Sequence, residues 1–301
     1  MSKAPLAAGV WGVVATPFAN STFDVDEGSL ARLVEHYESI GVAGLTVLGV
    51  FGEAAQLSTD ERRDVLETVV DTVELPLVVG ATSLGTAPVI EEVRLAQEVV
   101  SDHRLAGVMV QVNAGNAETL SRHLRAINEA TGAGIVVQDY PAVSGVSITS
   151  EALIAAIKPL DFVVGIKAEA PPTTVSVAAL SSALDVPIFG GLGGIGLLDE
   201  LAVGSAGAMT GFSYPEGLIA CINAWNEGGF EAAREAFLPY LPLVNFEQQA
   251  KVVLAIRKEC LRQRGLMMES VVRPPAPSMP EALTAQLRTQ LKAVPQREVV
   301  S

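Results

Sequence analysis

Eight short apolar runs, each followed by a stretch of helical periodicity, constrain this chain more than any other feature. The first run, GVWGVVATPF over residues 9–18, ends beside a proline. After it, Leu30, Leu33, Val34, Tyr37 and Ile40 recur at the spacing of one helix face. The later runs are GLTVLGV (44–50), LPLVVGAT (75–82), GVMVQV (107–112), GIVVQDYP (134–141), FVVGIKAE (162–169), PIFGG (187–191) and AMTGF (208–212). Helices are predicted after each: 58–73, opened by a Ser58–Glu61 capping box, then 87–100, 117–130, 150–157, 175–183, 197–203 and 216–226.

Strands that are apolar on both faces belong to a parallel sheet covered by helices. Eight such units over about 230 residues suit a closed (β/α)8 TIM barrel, with a doubly wound sheet as the alternative. Residues 1–229 are therefore expected to form the barrel. Residues 230–301 are expected to form a helical bundle packed on it, with helices at 230–241, 252–264 and 281–293. The run Pro274-Pro275-Ala276-Pro277 reads as a stiff connector within this tail. The tail's basic residues, Lys251, Arg257, Lys258, Arg262 and Arg264, form no single stripe and read as a solvated face.

Composition bears on partners. The 49% hydrophobic and 18% charged residues match a folded protein rather than a disordered one. A formal net charge of −14 opposes binding to nucleic acid or to anionic membranes. His36, His103 and His123 lack zinc-site spacing, and Cys221 and Cys260 make neither a CxxC pair nor a disulfide framework. No metal or other cofactor is expected, and a reducing cytoplasm is the expected compartment. The N-terminus lacks the apolar core of a signal peptide, and no apolar run reaches membrane-spanning length.

In a closed barrel the C-terminal strand ends converge on one mouth, where catalytic residues gather. The sixth run ends in Lys167-Ala168-Glu169. Side chains alternate along a strand, so Lys167 and Glu169 share a face. An amine in apolar surroundings becomes a usable nucleophile toward a carbonyl, and a neighbouring carboxylate can move protons. The plainer reading is a strand-end lysine in water, ion-paired to Glu169. Thr16, Gly191, Gly193 and Thr210 stand at other strand ends and are expected to touch substrate. Gln138 is either a strand-end hydrogen-bond donor or a substrate contact. Asp139 faces the other way and reads as structural. Glu53 reads as a buried carboxylate closing its loop by hydrogen bonds.

Gly49-x-x-Gly52-Glu53 after the second strand, Tyr140-Pro141 after the fifth and Ile166-Lys167 ending the sixth together resemble the dihydrodipicolinate synthase and N-acetylneuraminate lyase family. The resemblance covers nearly the whole chain. It implies that Lys167 forms a Schiff base with a 2-keto acid. It also implies that backbone N–H groups of Val50, Phe51 and Gly52 hold the substrate carboxylate, that a tyrosine relays protons, and that the protein is a tetramer.

Three positions depart from the family pattern. Val50-Phe51 replaces a pair of hydroxyl residues. Gln138 replaces the tyrosine of a Tyr-x-x-Pro pattern, with Tyr140 two residues on and on the same face. Val143 replaces the arginine of the lysine-biosynthetic enzymes. Glu169, where aldolases of the family carry a small or hydroxyl residue, resembles the dehydratases of 2-keto-3-deoxy sugar acids. The expected activity is a hydro-lyase with Lys167, Glu169 and Tyr140 as catalytic residues. A class I aldolase releasing pyruvate and an aldehyde is the alternative, and a non-catalytic binding protein on the same barrel is a second. Gly191-Leu192-Gly193-Gly194-Ile195-Gly196 satisfies GxGxxG, but on the seventh strand and without the acidic residue at a strand end that a dinucleotide site needs. Close backbone approach to a substrate is the better use of these glycines.

Overall fold

The computed structural model describes residues 4–19 and 22–295. Its eight strands are all parallel, and each pairs with the next in sequence. β8 closes on β1 through Trp11↔Met209 and its neighbours, so the sheet is a TIM barrel. In chain order the elements are β1 (Gly9–Val13), α1 (Glu27–Ser39), β2 (Gly44–Val47), α2 (Thr59–Thr72), β3 (Leu77–Ala81), α3 (Thr86–Val99), β4 (Leu105–Gln111), α4 (Ala117–Thr131), β5 (Ile135–Asp139), α5 (Pro141–Ser144), α6 (Ser150–Ile157), β6 (Val163–Ala168), α7 (Thr173–Ala183), β7 (Ile188–Gly190), α8 (Leu197–Ala202), β8 (Gly207–Thr210), α9 (Pro215–Phe237), α10 (Leu241–Glu247), α11 (Val253–Gln263) and α12 (Thr284–Ala293).

Four helix starts among the described residues are capped by polar side chains. Asp26, Asn116 and Thr149 cap α1, α4 and α6 by accepting from backbone N–H groups. Ser58 and Glu61 form the full capping box that opens α2. Alternation then sorts the strand side chains into two layers. Leu30, Leu33, Leu66, Val89, Leu120 and their neighbours pack the helices onto the outer face. Trp11, Val78, Met109, Val136, Val164, Phe189 and Met209 fill the barrel interior. Gly44 admits the Trp11 ring, since a Cβ there would come 2.4 Å from its Cζ3. This plug leaves the C-terminal mouth as the open end.

β6 carries one extra residue. Ile135 pairs with Val163, but Val136 pairs with Gly165, so Val164 has no partner of its own on β5. Such a bulge shifts the alternation by one position. Val164 packs in the interior and Ile166 in the outer layer. Lys167 consequently points inward.

α9 runs from the barrel into the tail and breaks at Gly229, where φ is 68° and ψ is −153°. Of the tail's basic residues, Lys251 and Arg262 are exposed as expected, but Arg257 and Lys258 are not part of a solvated face. Lys258 is fully buried and Arg257 is 6% exposed, because each pairs with a buried carboxylate, Glu53 and Glu247 respectively. No helix among the described residues is long and apolar enough to cross a membrane.

Candidate active site

The end of β6 sets the centre of the barrel mouth. Lys167 and Glu169 lie on the same face, both buried, with Lys167 Nζ 3.2 Å from Glu169 Oε2. Gln138 is the register partner of Lys167 on β5. Its amide donates to the same Glu169 oxygen at 2.7 Å. The other oxygen, Oε1, accepts from the Leu192 N–H at 3.2 Å. Glu169 also lies flat against Gly191, where a Cβ would come 2.2 Å from Oε1. Both carboxylate oxygens are therefore fixed. Gln138 has the donor role that its strand-end position allowed.

The loop after β2 forms a second wall. The N–H groups of Gly52 and Glu53 turn back on the carbonyls of Gly49 and Val50 at 3.0 and 3.1 Å. The Glu53 backbone is left-handed, with φ 53°. Its carboxylate pairs with Lys258 and accepts from the Arg273 N–H at 2.8 Å, so it closes the loop as its position in the sequence suggested. Thr16 Oγ donates to the Gly52 carbonyl at 2.7 Å. Phe51 packs on Gly211, where a Cβ would come 2.4 Å from the ring.

The loop after β7 forms the third wall. Gly193 has φ 69° and donates its N–H to Thr210 Oγ at 2.7 Å. One cavity is lined by Lys167, Glu169, Gln138, Tyr140, Val50, Phe51, Gly193 and Thr210. Thr16, Gly52 and Gly191 are not among its lining residues. Thr16 and Gly191 support the walls instead, through the Gly52 carbonyl and Glu169.

Burial raises the pKa of the Tyr140 phenol, and the nearby Glu169 charge adds to the effect. Asp139 faces away from Lys167, paired with Ala168 in the register. Burial, with the Glu169 charge, pushes its carboxyl up to about 6, and Oδ1 has no hydrogen-bond partner.

Sequence reasoning missed three polar lining residues. Thr46, on β2, lines the cavity with a buried hydroxyl that has no hydrogen-bond partner. Gln248 and Arg257 come from the tail helices. Gln248 Nε2 donates to the Leu192 carbonyl at 2.6 Å, and the Arg257 guanidinium lies 5.7 Å from the Phe51 ring centroid. No local spacing marks them, because they reach the mouth only after the tail folds back over it.

Comparison with known proteins places this geometry. The model of the dihydrodipicolinate synthetase family matches residues 6–294. The chain is 29% identical over 297 residues to an L-2-keto-3-deoxyarabonate dehydratase of Azospirillum brasilense, covering 95% of this chain and 94% of that protein. It is 30% identical over 240 residues to a 4-hydroxy-tetrahydrodipicolinate synthase of Methanothrix thermoacetophila, covering 78% and 80% of the two chains. The crystal structure of a dihydrodipicolinate synthase from Rhodopseudomonas palustris superposes with a TM-score of 0.89 at 28% identity, over 98% of this chain and 100% of that one. The chain belongs to the dihydrodipicolinate synthetase family.

Proposed function

We propose that this protein is a Schiff-base hydro-lyase that dehydrates a 2-keto-3-deoxy sugar acid. One observation carries the reading: a buried carboxylate, Glu169, fixed 3.2 Å from the Lys167 amine. The similarity to a dehydratase of such an acid over nearly the whole chain supports it.

The residues suit each step. Glu169 is close enough to take a proton from Lys167, freeing the amine to attack the C2 carbonyl. Glu169 returns that proton to the carbinolamine hydroxyl, which leaves as water, so that an iminium forms and Glu169 is a carboxylate again. That cation acidifies the C3 hydrogen, which Glu169 removes to give an enamine. Glu169 then returns the proton to the C4 hydroxyl, which departs as water. The product is a conjugated iminium, and water releases it from Lys167. Two tautomerisations carry the unsaturation to C5 as an aldehyde when C5 bears a hydroxyl.

The N–H groups of Val50 and Phe51 donate to no backbone carbonyl among the described residues, whereas Gly52 and Glu53 already do. They suit the C1 carboxylate, as oriented amides do. Tyr140, held protonated by its raised pKa, suits proton relay at the carbonyl oxygen.

The test is a product assay over a panel of 2-keto-3-deoxy acids, with borohydride trapping of pyruvate as the control. The expected outcome is a 2-keto semialdehyde as product and a trapped adduct on Lys167 that Lys167→Ala lacks. Pyruvate plus an aldehyde would establish the aldolase reading instead. Absence of any adduct would favour a binding protein.

A further inference from the structure

Arg257 is a built feature of the cavity that the chemistry above does not use. It projects from α11 into the mouth and is 94% buried by its 6% exposure. Nε donates to Glu247 Oε2 at 3.0 Å. Glu247 is itself fully buried and also accepts from the Ser213 hydroxyl. Nη2 is different: it is buried and has no hydrogen-bond partner. A buried guanidinium N–H without an acceptor is costly, so such a group in a binding cavity points to a ligand atom.

The surroundings hold this nitrogen in place. It rests against Gly193, where a Cβ would come 2.2 Å from Nη2. Gly193 is therefore needed twice, for its left-handed backbone and for the space that the guanidinium takes.

The contacts run in one order across the site. Lys167, which would hold C2, touches Glu169. Glu169, which would act at C3 and C4, touches the Leu192 N–H. The next residue, Gly193, touches Arg257. Arg257 thus stands beyond Glu169 along this run of contacts.

Charge selects the kind of group. Glu247 already matches the guanidinium, and Glu169 stands against Lys167. A second substrate carboxylate at Arg257 would bury a negative charge with no counterpart, which is strongly disfavoured beside Phe51, Val253 and Leu254. A hydroxyl oxygen accepts from Nη2 without that cost.

We infer that Arg257 Nη2 donates to a hydroxyl oxygen at the end of the substrate remote from the keto acid, selecting polyhydroxylated monocarboxylic acids over diacids and over chains lacking that hydroxyl. This rests on Lys167 being the Schiff-base residue.

Three acids test it: a five-carbon 2-keto-3-deoxy acid ending in a hydroxymethyl group, its 5-deoxy analogue, and the analogue with a carboxylate at C5. Each competes with isotope-labelled pyruvate for borohydride trapping on the full-length enzyme, and adduct masses give relative affinity whether the acid is then dehydrated or cleaved. The wild type should prefer the hydroxymethyl acid over both analogues by about tenfold or more, the effect of one hydrogen bond to a charged group. Arg257→Lys keeps a cation against Glu247 and should lose that preference while labelled pyruvate alone is still trapped. Should Arg257→Lys misfold, the Arg257→Gln/Glu247→Gln pair removes both charges together and should show the same loss. A preference that survives both variants overturns the inference, as does tightest wild-type binding of the diacid. An equal fall in trapping of pyruvate alone also overturns it, since Arg257 would then hold the common keto-acid end. No adduct with any acid would sink the Schiff-base reading itself.

Discussion

Gln138 and Glu169, on neighbouring strands, share a 2.7 Å hydrogen bond to the same carboxylate oxygen that faces Lys167. At position 138 the family resemblance read from the sequence implies a tyrosine, and this chain has the Gln138 amide. It holds the carboxylate toward the amine rather than supplying a proton of its own. In the proposed function Gln138 is thus a positioning residue. Replacing it with leucine should lower kcat about tenfold, the value of one hydrogen bond to a charged group, with KM and melting temperature little changed. Pyruvate trapping on Lys167 should persist. A fall in melting temperature with unchanged kcat would assign Gln138 to the fold alone.

Much of this site is legible in the chain. Alternation alone puts Lys167 and Glu169 on one face, and the eightfold beat of strands and helices gives the barrel. Whether that face looks inward is not legible, because the unpaired Val164 shifts the phase of β6 by one residue. Glu53 reads correctly as a loop-closing carboxylate, but its partner Lys258 is 205 residues away and reads as solvated. Arg257 fails to stand out for the same reason. A basic residue on a tail helix looks like surface until the buried carboxylate opposite it is known.

The Lys258–Glu53 pair ties α11 to the loop that lines the site. Lys258 is fully buried, also donates to the Val271 carbonyl at 2.8 Å, and lies over the Phe18 ring. Lys258→Met leaves Glu53 buried beside only the Arg273 N–H, and should cost about 3–5 kcal/mol of stability by chemical denaturation. Adding Glu53→Gln should recover part of that loss, because the stranded charge is then gone. Additive losses in the double variant would mean that the two residues do not act as a pair.

Asp139 gives a pH-dependent test. Burial and the Glu169 charge raise its carboxyl from 3.8 to about 6. Between these values the native state binds more protons than the unfolded state, so this group's contribution falls as pH rises through the window. Asp139→Asn removes the burden. The variant should gain stability over wild type as pH rises from about 4 to 7, by on the order of 2–3 kcal/mol at the upper end. A stability difference that stays constant across that range would contradict the assignment.

In the proposed function Glu169 decides the reaction, and Glu169→Gln measures its role most directly. The substitution keeps the shape and removes the proton shuttle. Dehydration should fall by about 10²–10⁴, the usual contribution of a positioned acid–base group, while borohydride still traps pyruvate on Lys167. Paired single-turnover assays, one for water loss and one for trapping, read both quantities on the same protein. Loss of dehydration with trapping intact is the predicted result. Dehydration at close to the wild-type kcat, or a wild type that yields pyruvate and an aldehyde, would contradict the account.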